Sequence, residues 1–333
     1  NMKLSILDQA PISSGYTAKQ ALEASVKLAR AGEELGYTRY WIAEHHDLPG
    51  LACPAPEVML SYIGAQTNKI RIGSGAVLLP HYKPYKVAEL YNMLATLFPN
   101  RIDIGIGRAP GGSAEATTAL SENYLQQVWN LPSLVTDLLH FINDDYIPAN
   151  PHATLSATPV PDTPPEVWLL GTGKKSAILA ANEGLSYAFG QFMSSEDGKG
   201  IIDQYRNAFK PREHGSGPKI ILTVSVICAE TTERAEEIAL SSLVWSRQLE
   251  KGNGKKGVPS INEAKTYPIT EEEKQQLEMQ KQKMIIGNPK EVKSKLKELQ
   301  AFYRADELMI VTISHSIDDK IQSYRLIMDE YSK

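Results

Sequence analysis

37-YTRYWIAEHHDLPG-50 passes within a few positions from a buried-looking strand into a cluster of ionisable side chains. Tyr40, Trp41 and Ile42 make a short aromatic and β-branched run, the composition of a strand. Glu44, His45, His46 and Asp47 follow at once. Titratable groups at the carboxyl end of a strand are where an α/β protein lines its pocket, because the crevice opens outside the strand ends. Either histidine taken alone also reads as a structural residue that caps the strand.

Outward from this stretch the chain alternates strand and helix. Leu4, Ile6 and Leu7 form a first strand, and after the turn at Pro11 to Gly15 a helix starts at Thr17 with Gln20 three residues on, a capping-box pattern. Its apolar residues Leu22, Val26, Ala29 and Leu35 recur at helical spacing until Gly36. Pro54 to Thr67 reads as the next helix, 70-IRIGSGAVLLP-80 as the third strand, a helix begins near Pro84, and 101-RIDIGIG-107 is the fourth strand. Strand starts near 39, 70 and 101 are spaced at the roughly 30 residues of a βαβ unit. After a helical part, 124 to 142, and a proline-rich loop ending at Pro165, the alternation resumes with strands at 166–171, 185–190, 219–228 and 306–314. Eight strands alternating with helices predict one α/β domain over 2–333, a parallel sheet closed into a (β/α)8 barrel, with an open doubly wound sheet as the alternative. The polar stretch 250–283 is then an insertion between strands 7 and 8, and 251-KGNGKKG-257 predicts a flexible backbone there.

Composition removes several classes of function. A mean hydropathy of −0.28 and the absence of any long apolar run argue against a membrane span, and a net charge of −4 gives no electrostatic case for nucleic acid. Cys53 and Cys228 stand far apart in no metal-ligand spacing, which fits a reduced, cytoplasmic protein, and the N-terminal NMKLSILDQA is too short and polar for a signal peptide. No metal is expected, since His45 and His46 are adjacent and on a strand point to opposite sides. Nor is there a G-x-S-x-G elbow for a serine hydrolase.

Three strand ends carry glycines. In 105-GIGRAPGG-112 proline stands where a dinucleotide fingerprint needs its third glycine, and 171-GTGKKS-176 lacks the first glycine of a P-loop. The second is still a strand, a glycine turn and a helix start, where free backbone N–H groups and the helix dipole suit a phosphate. A tight turn that binds nothing fits the same residues. In 73-GSGAVLLPHYKP-84 the glycines either relieve crowding or let a flat ring lie against the backbone.

Taken together, 40-YWIAEHHDLPG-50, 71-RIGSGAVLLPHYKPYKVAE-89, 101-RIDIGIGRAPG-111, 166-EVWLLGTGKKSAILAANEGL-185 and 286-IGNPKEV-292 resemble the bacterial luciferase-like flavin-dependent monooxygenases, over nearly the whole chain and in the same order. The resemblance implies a (β/α)8 barrel that uses reduced FMN and O2, through a C4a-(hydro)peroxyflavin, to oxidise a small organic substrate. It also implies a separate flavin reductase, a homodimer formed by helices 54–67 and 85–98, and a mobile loop over 250–283. By its motifs, His45 with Glu44 before it corresponds to the catalytic E-H-H segment, and Gly75 and Ala76 to a pair joined by a non-proline cis peptide under the flavin ring. Arg108 corresponds to an arginine near the phosphate, and Gly171, Thr172, Gly173, Lys174 and Ser176 to the phosphate loop. Where the light-emitting enzyme has a reactive cysteine, this chain has Gly107, which speaks against aldehyde oxidation with light emission. Two alternatives keep the fold: a hydride-transfer enzyme using the deazaflavin F420, and a flavin-binding protein without turnover.

Overall fold

The structure, a computed structural model, describes residues 2–195 and 197–333. Its strands are β1 (Lys3–Asp8), β2 (Arg39–Ile42), β3 (Arg71–Leu78), β4 (Ile102–Gly107), β5 (Glu166–Gly171), β6 (Ser186–Gly190), β7 (Ile220–Cys228), β8 (Ile285–Gly287) and β9 (Glu307–Val311). All named pairings are parallel, and β1 through β7 with β9 close into an eight-stranded ring, a (β/α)8 barrel. The short β8 was not anticipated. It lies outside the ring on the end of β7, where Val226–Cys228 runs past the barrel and pairs with Ile285–Gly287.

Strand periodicity sorts the core into two layers. Leu7, Trp41, Trp168, Ala188, Ile221, Met309 and Val311 fill the barrel interior, while their chain neighbours Ile6, Tyr40, Ile42, Leu308 and Ile310 pack outward under the helices. Both faces of each strand are thus buried, which is why the strands read as near-continuous apolar runs. The floor of the barrel is ionic: Arg39 bonds Asp103 through Nη1 at 2.8 Å and Glu307 through Nε at 2.8 Å, and Arg71 bonds the other Asp103 oxygen at 2.7 Å. Burial alone would lower the Arg39 pKa, but Asp103, Glu307 and Glu166 outweigh it and hold the guanidinium charged.

Helices follow the expected spacing: α1 (Ala18–Leu35), with the Thr17–Gln20 capping box formed, α2 (Pro56–Ala65) and α3 (Pro84–Leu97). After β4 come α4 (Ala114–Leu120), which was not anticipated, then α5 (Tyr124–Trp129) and α6 (Leu131–Ile142), separated at Asn130 with Pro132 in the first turn of α6. The proline-rich loop that follows is tied to α3, since Asn92 Nδ2 donates to Ala157 O at 2.8 Å. Then come α7 (Lys174–Asn182), α8 (Gly198–Ala208), α9 (Thr232–Glu250), α10 (Ile261–Thr266), α11 (Glu271–Gln282), α12 (Pro289–Tyr303) and α13 (Ile317–Tyr331). No helix among the described residues is long and apolar enough to cross a membrane.

The insertion differs from expectation in extent and build. Val292 and Leu296 of α12 join the main core, and α12 packs against β7, α8 and α13, so α12 takes the barrel position after β7. The α9 residues Ala235, Ile238 and Ala239 belong instead to a separate small cluster with Ile227 and Met284. The excursion therefore spans 229–288, not 250–283. Nor is 251-KGNGKKG-257 loosely held: Gly252 and Gly257 turn the chain at φ +74° and +82°, and Val258, fully buried, exchanges 2.8 Å backbone bonds with Ile12 and Ser14. The glycines are there for left-handed backbone and for close approach, because a Cβ on Gly257 would sit 2.1 Å from Ile12 O.

Candidate active site

Beyond β2 the backbone stays extended and stitched to its neighbours: Ala43 N donates to Asp8 O, His45 N to Cys53 O and His46 N to Gly111 O, at 2.9, 3.0 and 2.7 Å. Alternation therefore puts Glu44 and His46 on one side and His45 on the other. Glu44 is buried, with Oε2 at 2.6 Å from His46 Nε2 and accepting from the Tyr82 hydroxyl at 2.7 Å. Burial, together with the facing Glu44 carboxylate, pushes the Tyr82 phenol up, so it remains a donor. Glu44 thus pairs with the second histidine, not with His45.

His45 is held differently. Its Nδ1 is buried with no hydrogen-bond partner, and its pKa is pushed down to about 4, mainly by burial and then by the neighbouring His46. At neutral pH the imidazole is uncharged and can accept a proton. An orphaned buried nitrogen costs on the order of 1–3 kcal/mol, which a bound partner would recover.

On the next strand the Gly75–Ala76 peptide bond is cis, and the register between β3 and β4 shifts between Gly75 and Val77. A Cβ on Gly75 would meet Leu7 Cδ1 at 2.8 Å and Trp41 Cβ at 3.0 Å, so the packed barrel interior demands glycine there. Gly107 is flush against the same spot, where a Cβ would lie 2.9 Å from that of Ala76.

Arg108 and the start of α7 share a cavity of about 460 Å³, walled mostly by apolar side chains including Leu125, Trp129, Leu170 and Ile178. Lys175 and Ser176 line it, whereas Gly171, Thr172, Gly173 and Lys174 are not among its lining residues. The α7 periodicity explains this: 175, 178, 179 and 182 fall on one face. Gly173 caps α7 without a side-chain bond, which leaves the first-turn N–H groups for a ligand. Ser176 Oγ bonds Gly173 O at 2.9 Å and Tyr187 OH at 2.8 Å, and Gly171 has no Cβ because that hydroxyl fills the space. A basic pair and a free helix N-terminus, with the Ser176 backbone N–H in its first turn, fit a phosphate monoester. The sequence reading missed His81 and Tyr124: His81 Nε2 donates to Pro110 O at 2.7 Å, and its ring packs between those of His46 and Tyr124. No group of three or more potential ligand side chains able to hold a metal occurs among the described residues.

The fold and site define a parallel (β/α)8 barrel that gathers ionisable groups and a cavity at the carboxyl ends of its strands. The chain belongs to the luciferase-like monooxygenase family, whose model matches residues 2–305. It is 38% identical to the N-acetyl-S-alkylcysteine monooxygenase of Bacillus subtilis (strain 168), over 98% of both chains. The crystal structure of apo-MsnO8 superimposes with a TM-score of 0.89 at 32% identity, covering 100% of this chain and 98% of that one. At lower identity the fold alone is shared with the oxygenating constituent of 3,6-diketocamphane monooxygenase of Pseudomonas putida, solved with FMN (19%, TM-score 0.72, 99% and 97% covered). It is also shared with an F420-dependent secondary alcohol dehydrogenase (11%, TM-score 0.65, 99% of both chains).

Proposed function

We propose that this monooxygenase-family chain is the oxygenase component of a two-component system, taking reduced FMN from a separate reductase and using O2 to oxidise a small organic substrate. The observation that carries the reading is His45, whose buried, uncharged and unpartnered Nδ1 belongs to the segment just beyond β2, the strand that pairs with β3 up to Ser74, the residue before Gly75 and Ala76. Reduced FMN, when bound, supplies the two electrons that activate oxygen. Arg108, Lys175, Ser176 and the α7 N-terminus hold its phosphate, with the guanidinium offering a fork of donors. Gly75 and Ala76 support the ring, and Gly107 keeps the neighbouring strand end clear of it. His45 accepts or returns one proton at Nδ1, and Glu44, fixed by Tyr82 and His46, orients the segment that carries His45. The 229–288 excursion, anchored on the β1 loop through Val258, excludes water from the pocket. A reduced, cytoplasmic setting suits the two buried free cysteines.

The test is oxygen uptake with chemically reduced FMN, with an N-acetyl-S-alkylcysteine as first probe because the 38% identical relative is named for that class. Substrate-dependent uptake with an oxygenated product supports the reading. Hydride exchange with F420 in its absence replaces it with the dehydrogenase reading, and tight flavin binding with neither leaves a flavin-binding protein.

A further inference from the structure

A second cavity, of about 270 Å³, lies at the rim of the barrel's carboxyl face, between the loop after β1, the first turns of α1 and the start of α13, and shares no lining residue with the cavity of Arg108 and Lys175. Lys320, on the inner side of α13, lines it and is only 7% exposed. Among the described residues its ammonium has neither a hydrogen-bond acceptor nor an ion-pair partner; the carboxylate that acts on it through space is Asp8. Burial lowers the Lys320 pKa and Asp8 offsets that only in part. Asp8 is itself engaged, accepting from Ala10 N at 2.8 Å and from the Tyr40 hydroxyl. It alternates with Leu7, which faces the barrel interior, so Asp8 points into the layer between barrel and helices, toward the side from which Lys320 of α13 is buried. The charges at the cavity rim are already balanced: Lys27 pairs with Asp318 at 3.3 Å and Glu23 with Lys19 at 3.4 Å. Among the charged side chains that line the cavity, Lys320 is the cation left without a direct ion-pair contact.

A buried ammonium is retained at a cost unless an anion and hydrogen-bond acceptors meet it. We propose that this cavity is a binding site for a small organic carboxylate, its anionic end on Lys320 and its apolar body against Tyr16, Ala21, Ala24 and Ile317. A single cation matches a monoanion, since a phosphate dianion calls for a second positive donor. The volume holds a short alkyl or single-ring acid and no more. Gln20 adds a donor at the rim, its Oε1 being taken by Thr17 N and its amide NH2 having no acceptor among the described residues. Pro11 and Ser13, which wall the cavity, bridge to Leu51 after the E-H-H segment and to Val258 of the excursion. Occupancy therefore stiffens two segments that border the proposed active site.

The experiment is titration of the full chain with benzoate and with butanoate, by calorimetry and thermal unfolding, in three proteins: wild type, Lys320→Met, and Ala24→Phe, which fills the cavity and leaves the lysine in place. Saturable binding to wild type that raises Tm, weakened about tenfold or more in both variants while FMN affinity is unchanged, is expected. Absence of saturable binding to wild type, or equal binding in the variants, overturns the proposal. Should Lys320→Met fail to fold, the Ala24→Phe comparison decides alone.

Discussion

Replacing His45 by asparagine removes a half-buried titratable ring, whose Nδ1 is fully buried, and keeps a polar side chain of similar reach. In the folded chain the imidazole stays neutral down to about pH 4. In the unfolded chain it takes up a proton near its ordinary value of about 6.5. Between those values the unfolded state binds more protons, so the His45 contribution to stability is fully present above about pH 6.5 and is lost as pH falls toward 4. At roughly 1.4 kcal/mol per pH unit, moving from neutral to about pH 5 removes about 2 kcal/mol, and reaching pH 4 removes about 3 kcal/mol. Urea unfolding of wild type and His45→Asn at both pH values isolates this contribution, because the other acids titrate alike in the two proteins. The wild-type advantage should shrink by about 2 kcal/mol at about pH 5. A difference that stays constant within about 0.5 kcal/mol would refute the depressed pKa, and with it the view of His45 as a neutral proton acceptor at the working pH.

Arg108→Ala is expected to weaken FMN binding by about 1.5–3 kcal/mol, and Lys175→Met to weaken it too, while Lys174→Met leaves it unchanged; fluorescence quenching of FMN reads all three. Arg39→Met strips the partner from Asp103 and Glu307 on the barrel floor and should cost about 3–5 kcal/mol in chemical denaturation, with the unchanged stability of a well-packed neutral isostere as the opposing result. Association is expected through α2 and α3, where Val58, Tyr62, Met93 and Leu97 stay more than half exposed, although Met59 and Tyr91, anticipated in the same patch, are buried in the core. Sedimentation should show a dimer at micromolar concentration that Tyr62→Glu with Met93→Glu dissociates; a wild-type monomer rules it out. Removing 252–266 should retain FMN binding and divert oxygen consumption into hydrogen peroxide, and full coupling in that deletion would leave the excursion with no shielding role.

The barrel was legible because parallel strands buried on both faces leave apolar runs, and their 31-residue spacing is set by one strand, one helix and two turns. The short β8 was not, since Ile285–Gly287 is too short to differ in pattern from the lead-in to the Asn288 cap. Nor was α4, which buries no residue and so has no apolar stripe to betray it. At the site, the E-H-H segment was legible as a cluster of ionisable groups at the end of β2, but the Tyr82 hydroxyl that joins Glu44 comes from 38 positions away through the barrel register. Strand parity alone would have separated His45 from the Glu44 and His46 pair. Helical parity would likewise have chosen Lys175 over Lys174, because the residues at 175, 178, 179 and 182 share a stripe once α7 begins at 174.

The glycine–lysine run at 251–257 shows why composition misleads about the looseness of a segment. Glycine appears both where a chain must be loose and where it must turn left-handed against another backbone, since both uses follow from the missing Cβ. What separates them is a distant partner, here Ile12 and Ser14, which no local window contains. Anchoring at Val258 also changes how the proposed cover over a cofactor would have to work. A loose loop shields by folding down when ligand arrives, whereas a segment already bonded to the β1 loop shields while the pocket is empty and must release those backbone bonds to admit a bulky ligand. The deletion of 252–266 tests that directly, because it removes the anchor together with the cover and leaves Arg108, Lys175 and His45 in place.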